Sequence, residues 1–177
     1  MRIAILAAGL ALAACASPAA HVSTSTLAAA DAATSLLVGE QLTQEIVSRA
    51  PEQEGMDPLE TLTLRHADGR TLVFQHANHT PHDLMAQAAG GPLAQIMGLF
   101  GEEAPTLYHR VEGGQGSPFI CAPDGPQSLG AYTGADGAIQ IVGLKQAIEF
   151  ETRPDGQTEA VPYSPDQVCA RLRFTAQ

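Results

Sequence analysis

The chain has 177 residues, 45% of them hydrophobic, and a formal net charge of −10. This length and apolar content suit one globular domain. The acidic balance counts against binding to nucleic acid or docking on anionic phospholipid, because both need clustered Lys and Arg on the surface.

The first fourteen residues have the pattern of an export signal. Arg2 follows the initiating amine, and an uncharged run rich in Ala, Leu and Ile continues to residue 14. At about 1.5 Å per residue this run spans roughly 18 Å as a helix, which is too short for a permanent transmembrane helix. The run ends in Leu12-Ala13-Ala14-Cys15, an aliphatic residue, two small residues and a cysteine. This ending resembles the lipobox of bacterial lipoproteins.

The resemblance implies that residues 1–14 are removed and that Cys15 becomes the first residue of a lipidated protein. Such proteins carry a diacylglycerol on the cysteine sulfur and usually a third fatty acyl chain on its amine, and two or more chains give stable membrane anchoring. Ala16 follows the cysteine, not the aspartate that retains many such proteins in the inner membrane. We therefore expect a lipid anchor in the outer membrane, with the protein facing the periplasm. The alternative is an ordinary signal peptide that is cut near Ala14 without lipidation.

The next fifty residues give the first predicted elements. Residues 15–34 are mostly Ala, Ser, Thr and Pro, and we predict a flexible tether there because they bury little apolar surface. One β-rich globular domain is predicted over residues 35–177. Its first element is predicted to be a short helix, since Val38, Leu42 and Ile46 recur every four residues. Gly39 weakens this helix, and a first strand is the alternative.

Residues 60–76 read ETLTLRH, ADG and RTLVFQH, which is a hairpin pattern around Asp68-Gly69. A two-residue loop would pair apolar with polar side chains. A three-residue loop over residues 67–69, with Gly69 left-handed, pairs Leu64 with Leu72 and Leu62 with Phe74. We predict the second register, because it gives one continuous apolar face.

The remaining sequence predicts two short helices and then a series of strands. Helical spacing covers residues 81–100, and Gly90-Gly91-Pro92 divides it in two. Strands separated by Gly- and Asp-containing turns are predicted over residues 106–112, 117–121, 129–132, 138–144, 146–152, 157–161 and 168–174. The predicted fold class is α+β: an antiparallel sheet or small barrel, one N-terminal helix, and two helices inserted after the first hairpin.

Two further features of the C-terminal half concern cysteine and arginine. With Cys15 lipidated, Cys121 and Cys169 are an even pair in an oxidising compartment, and we predict that they form a disulfide. A catalytic Cys121 with a histidine base is the alternative, and no local motif supports it. In the last strand Arg171 and Arg173 share one face with Cys169, opposite the apolar face that begins at Val168. The two arginines are candidates for binding a carboxylate or phosphate, or else form a solvated face.

The only pattern that suggests metal chemistry is His76-x-x-His79-x-x-His82, followed by Asp83. Three imidazoles within seven residues are a possible zinc or copper site if a loop folds them together. The alternative is a set of loop histidines near a helix start, with Thr80 as the cap. His66 is not expected to join them, because it lies at the far end of the hairpin.

The sequence contains no nucleophile elbow, phosphate loop or zinc-protease motif, so we predict a non-enzymatic protein without a cofactor. The expected function is a membrane-anchored envelope lipoprotein whose domain binds another envelope protein or a polymer. One alternative is an inhibitor of a basic lytic enzyme such as lysozyme, although none of the motif residues of known inhibitors is present. Another alternative is a metal-binding protein that uses His76, His79 and His82.

Overall fold

A computed structural model describes residues 20–50, 58–76, 93–99, 105–111, 113–147, 150–156, 158–160 and 164–177. Over these ranges the protein is mostly β. Eight strands form a closed antiparallel barrel, and two further strands form a separate small hairpin. The predicted α+β class is therefore wrong, because the N-terminal part of the domain is strand and helices contribute only short segments.

The barrel strands follow one another around the wall in chain order, with the separate hairpin β8–β9 inserted between β7 and β10. The last strand, β10, pairs with both β7 and β1, and this pairing closes the barrel. The strands are β1 His21–Ala29, β2 Gln41–Arg49, β3 Leu59–His66, β4 Thr71–His76, β5 Thr106–Arg110, β6 Ser128–Thr133, β7 Ala138–Leu144, β8 Phe150–Thr152, β9 Thr158–Ala160 and β10 Val168–Ala176.

The tether predicted over residues 15–34 is wrong from His21 onward. β1 pairs with β2 from His21 to Ala28 and with β10 at its C-terminal end. Backbone hydrogen bonds to two neighbouring strands order this Ser- and Thr-rich segment, which has few apolar side chains of its own. Residues 21–29 of the predicted tether therefore belong to the barrel.

The predicted N-terminal helix is also wrong. The helix α1 covers only Ala32–Val38, and β2 follows it at once. Asp31 caps α1 by accepting a hydrogen bond from the Thr34 N–H at 2.7 Å, and Gly39 ends it with φ +78°. Leu42 and Ile46, four residues apart, have a spacing that fits one face of a strand as well as one face of a helix.

Two apolar clusters lie on opposite sides of the barrel wall. The inner cluster fills the barrel with large buried side chains from every barrel strand, among them Leu27, Leu64, Phe74, Ile141 and Phe174. The outer cluster lies under residues 93–97, which form a second helix, α2. Its buried members are Leu93, Met97, Leu99, Leu107, Val142 and Leu144.

Gly130 explains how α2 comes so close to the wall. A Cβ atom at this position would lie 2.7 Å from Leu93 Cδ1, so any larger residue would push the helix away from β6. Leu93 is fully buried. The first of the two helices predicted over residues 81–100 lies outside the described residues, whereas α2 falls within the second.

The antiparallel order gives the barrel two different ends. At the closed end, α1, the β3–β4 turn and the loop over residues 113–127 gather, and Val38, Phe119 and Ile120 pack into the inner cluster there. The predicted strand over residues 117–121 is wrong, because these residues form this loop. At the open end β2, β4 and β6 finish and β1, β3, β5 and β7 begin.

The predicted hairpin register is confirmed. Leu64 pairs with Leu72 and Leu62 with Phe74, around a three-residue loop in which Gly69 has φ +92°. Asp68 supports the turn by accepting hydrogen bonds from the Arg70 backbone and from Arg70 Nε. The hydrogen bond from the Arg70 N–H is the main reason why the pKa of Asp68 falls to about 2.

Gly69→Ala is expected to lower the free energy of unfolding by roughly 1–2 kcal/mol, because an L side chain is disfavoured at positive φ. Nothing lies within 4 Å of the position that a Cβ atom would take, so the cost comes from the backbone alone. Denaturant unfolding of the wild type and of Gly69→Ala measures this change in the free energy of unfolding. An unchanged unfolding midpoint would show that the turn relaxes to another conformation.

Candidate ligand site at the open end of the barrel

A cavity of about 320 Å³ opens at the open end of the barrel. Aliphatic side chains at interior positions of four strands form part of its lining. The lining residues are Gln44, Ile46, Leu62, Thr106, Tyr108, Ala131, Tyr132, Thr133, Ile139 and Ile141. None of these residues has a side chain that is charged at neutral pH. The described part of the lining combines aliphatic surface with hydroxyl and amide groups.

Strand alternation places these residues inside the barrel, except Tyr132, which packs against the outer cluster. Residues directly opposite each other on antiparallel strands share a face. Ile46 lies opposite Leu62 and Ala131 lies opposite Ile141 and Thr106, so each pair belongs to the same interior face. The side chains become smaller or more polar towards the open end, and this change leaves the space unfilled there.

Three polar side chains form a row beside the cavity, on the neighbouring strands β3, β4 and β5. His76 lies directly opposite Tyr108, and their ring centroids are 5.8 Å apart. Thr61 pairs with Gln75, and this register places Glu60 opposite His76. The Tyr108 hydroxyl donates to Glu60 Oε2 at 3.4 Å, a long hydrogen bond. We call Glu60, His76 and Tyr108 the polar row.

Burial dominates the acid–base behaviour of the polar row. Desolvation lowers the pKa of His76, and the Glu60 carboxylate opposes this effect only in part, so His76 is neutral at pH 7. Burial and the nearby Glu60 carboxylate raise the pKa of Tyr108 far above its usual range. The row therefore presents a neutral imidazole, a neutral phenol and the Glu60 carboxylate at the barrel interior.

The structure describes only one of the three histidines of the predicted metal site. His76 ends β4 in the polar row, while His79, His82 and Asp83 lie outside the described residues. Within the ranges that the structure covers, no group of three or more His, Cys, Asp or Glu side chains is placed to hold a metal ion. The three-histidine site stays a prediction. His66 lies at the closed end, where it contacts Asp68 and Phe119, so the hairpin separates it from His76 as expected.

The two candidate anion-binding arginines lie on the outer wall, and each contacts a different element. Arg171 donates through Nη1 to the Ile96 carbonyl, which fixes the C-terminal part of α2 to the barrel. Arg173 is close enough to Asp31 at the start of α1 to help lower the pKa of that carboxyl. Each arginine therefore has a contact within the protein, and the anion site stays a prediction.

The predicted disulfide is confirmed. Cys121 and Cys169 are joined, with 5.3 Å between their Cα atoms. The bond connects the closed-end loop to the beginning of β10.

The alternation of β10 is also confirmed from Ala170 onward, since Leu172 and Phe174 are buried while Arg171 and Arg173 are exposed. Val168 differs from the prediction: a register shift between Val168 and Ala170 leaves Val168 packed against the outer cluster.

Sequence reasoning missed the cavity and most of the polar row. The predicted hairpin register already places Glu60 opposite His76, and that register was the available signal. Tyr108 could not be found in this way, because its position beside His76 depends on the pairing of β4 with β5 across about thirty intervening residues.

Cys15 and the lipobox also lie outside the described residues. Within the part of the chain that the structure covers, no helix has the length and apolar character needed to cross a membrane. No known protein family, curated protein or solved structure matches this chain.

Proposed function

We propose that this protein is a lipid-anchored, non-enzymatic binding module of the cell envelope that takes a small ligand into the open end of its barrel. The observation that carries the proposal is the cavity of about 320 Å³, which lies in the size range of small-molecule sites. Its lining combines aliphatic side chains with hydroxyl and amide groups, which can fix the orientation of a small ligand. The anchor rests on the lipobox resemblance at Cys15, and the envelope location rests on the same resemblance.

The polar row supports a binding role better than a catalytic one. A general base needs a pKa near the working pH and a partner within hydrogen-bond reach. Burial holds Tyr108 protonated, and the contact between His76 and Tyr108 is between their rings. The neutral rings of His76 and Tyr108 can orient a ligand by hydrogen bonding without reacting with it.

Ala131→Phe is expected to abolish uptake of N-phenyl-1-naphthylamine, a neutral apolar fluorophore, because Ala131 lines the cavity and a phenyl ring would fill it. Fluorescence titration of the purified protein measures the uptake. Ala28→Phe is the matched control: Ala28 follows the inward-facing Leu27 on β1, so its side chain is on the outside of the wall.

Ala131→Leu fills less of the cavity and is expected to weaken uptake by an intermediate amount, which separates blocking from misfolding. Both Ala131 variants are checked by circular dichroism and thermal unfolding. Equal uptake by the wild type, a folded Ala131→Phe and Ala28→Phe, or no uptake by the wild type, would refute binding in this cavity.

A further inference from the structure

We infer that the open end of the barrel faces the membrane that anchors the protein, and that its cavity takes up a single uncharged alkyl or acyl chain from that membrane. This inference rests on the proposed function, both for the anchor at Cys15 and for binding in the cavity. It adds the chemical class of the ligand and the place from which the ligand comes.

The length of chain between the anchor and the barrel sets the orientation. Only residues 16–20 separate Cys15 from His21, the first residue of β1. Five residues reach at most about 18 Å even when fully extended. His21 lies at the open end, opposite Ser48 near the end of β2. The anchor therefore holds the edge of the open end close to the membrane surface.

The opposite end of the barrel is farther from that anchor. β1 has nine residues and is about 30 Å long, and it runs from the open end towards α1 at the closed end. Val22, next to His21 and on the outer wall, is 55% exposed and adds an apolar side chain beside the open end. Among the described residues, the open end is thus the part of the barrel nearest to the anchor.

The lining of the cavity indicates an uncharged chain. Burying an ionised group without a partner is costly, and a carboxylate would find no cationic partner among the described lining residues and would lie near the Glu60 carboxylate of the polar row. The net charge of −10 further disfavours an anion. At about 30 Å³ for each water-sized group, 320 Å³ corresponds to the volume of roughly ten such groups. Gln44, Thr106 and Thr133 are available for one hydroxyl or amide at the end of such a chain.

The chain length and charge are tested with brominated probes, because bromine quenches the fluorescence of nearby tyrosines and the protein contains three tyrosines and no tryptophan. In the unlipidated Cys15→Ser protein, 10-bromo-1-decanol is expected to quench at concentrations at least about tenfold lower than 10-bromodecanoate, whose carboxylate would be desolvated. Tyr108→Phe is expected to reduce the quenching, since Tyr108 lines the cavity. Equal quenching by the alcohol and the carboxylate would overturn the preference for an uncharged chain.

The source is tested with the full acylated protein in phosphatidylcholine vesicles that already contain the brominated alcohol. A variant with twenty Gly and Ser residues inserted between Pro18 and Ala19 has the same barrel on a fivefold longer tether. The ligand fills the membrane plane, so only the distance from the membrane depends on tether length, and quenching is expected to develop at least about twofold more slowly in this variant. Its affinity for the alcohol in solution should equal that of the wild type.

Each outcome separates this inference from the proposed function. Equal rates with the short and long tethers would overturn uptake from the membrane while leaving ligand binding intact. If brominated chains fail to quench but the naphthylamine still binds in a manner sensitive to Ala131→Phe, the chain class is wrong and the cavity remains a binding site. Loss of both signals would refute the proposed function itself.

Discussion

Replacing both Cys121 and Cys169 with alanine is expected to lower the free energy of unfolding by about 4 kcal/mol. The disulfide joins residues 48 positions apart, and a loop of this length confines the unfolded chain strongly in the chain-entropy treatment. The bond also ties the closed-end loop to β10, the strand that closes the barrel against β1. Guanidinium unfolding of the oxidised protein and of the double variant measures the difference.

The wild type under reducing conditions is the control, because it loses the bond without losing the sulfur atoms. Gly143 packs beneath the bond, where a Cβ atom would lie 2.9 Å from Cys121 Sγ. If the reduced wild type and the double variant lose a similar amount of unfolding free energy, the loss comes from the cross-link. A loss below about 1 kcal/mol in both would mean that the closed-end loop and β10 hold together without it.

Phe74→Ala is expected to cost about 3–5 kcal/mol, as is usual when a large aromatic side chain is removed from a well-packed core. Phe74 is fully buried in the middle of the inner cluster. It pairs with Leu62 on β3 and with Arg110 on β5, so its removal leaves a void between three strands. Urea unfolding with a check for a single transition gives the value.

Two variants bracket this effect. Phe74→Leu keeps most of the apolar volume and should cost clearly less than Phe74→Ala. Gln75→Ala changes the next residue along β4, which lies on the outer face of the wall, and should stay within about 0.5 kcal/mol of the wild type. Equal losses for Phe74→Ala and Gln75→Ala would contradict the alternation of interior and exterior residues on β4.

The outer cluster gives the barrel wall a second packed layer over β5, β6 and β7. Leu93 and Met97 cover Leu107, Val142 and Leu144, which would otherwise expose aliphatic surface to water. The hydrogen bond from Arg171 to the Ile96 carbonyl ties α2 to β10 as well. An arginine that the sequence suggested for anion binding therefore has a structural contact within the protein.

Local signals predicted three features correctly. The hairpin register follows from Asp68-Gly69 and from the alternation of Leu62 and Leu64 with polar residues, and both act over a few residues. The pairing of Cys121 with Cys169 follows from the cysteine count and from the oxidising compartment that the lipobox resemblance implies. The buried and exposed faces of β10 follow from alternation alone, except at Val168, where a register shift interrupts it.

The tertiary structure decided the features that depend on distant partners. β1 is ordered by hydrogen bonds from β2 and β10, so its own Ser- and Thr-rich composition did not reveal it. Leu42 and Ile46 have a spacing common to helices and strands, and only pairing with β3 selects the strand. The polar row arises where β3, β4 and β5 meet at the open end, and the cavity is lined from β2, β3, β5, β6 and β7. Closure of the barrel puts these side chains together, because strand pairing joins residues that the sequence keeps far apart.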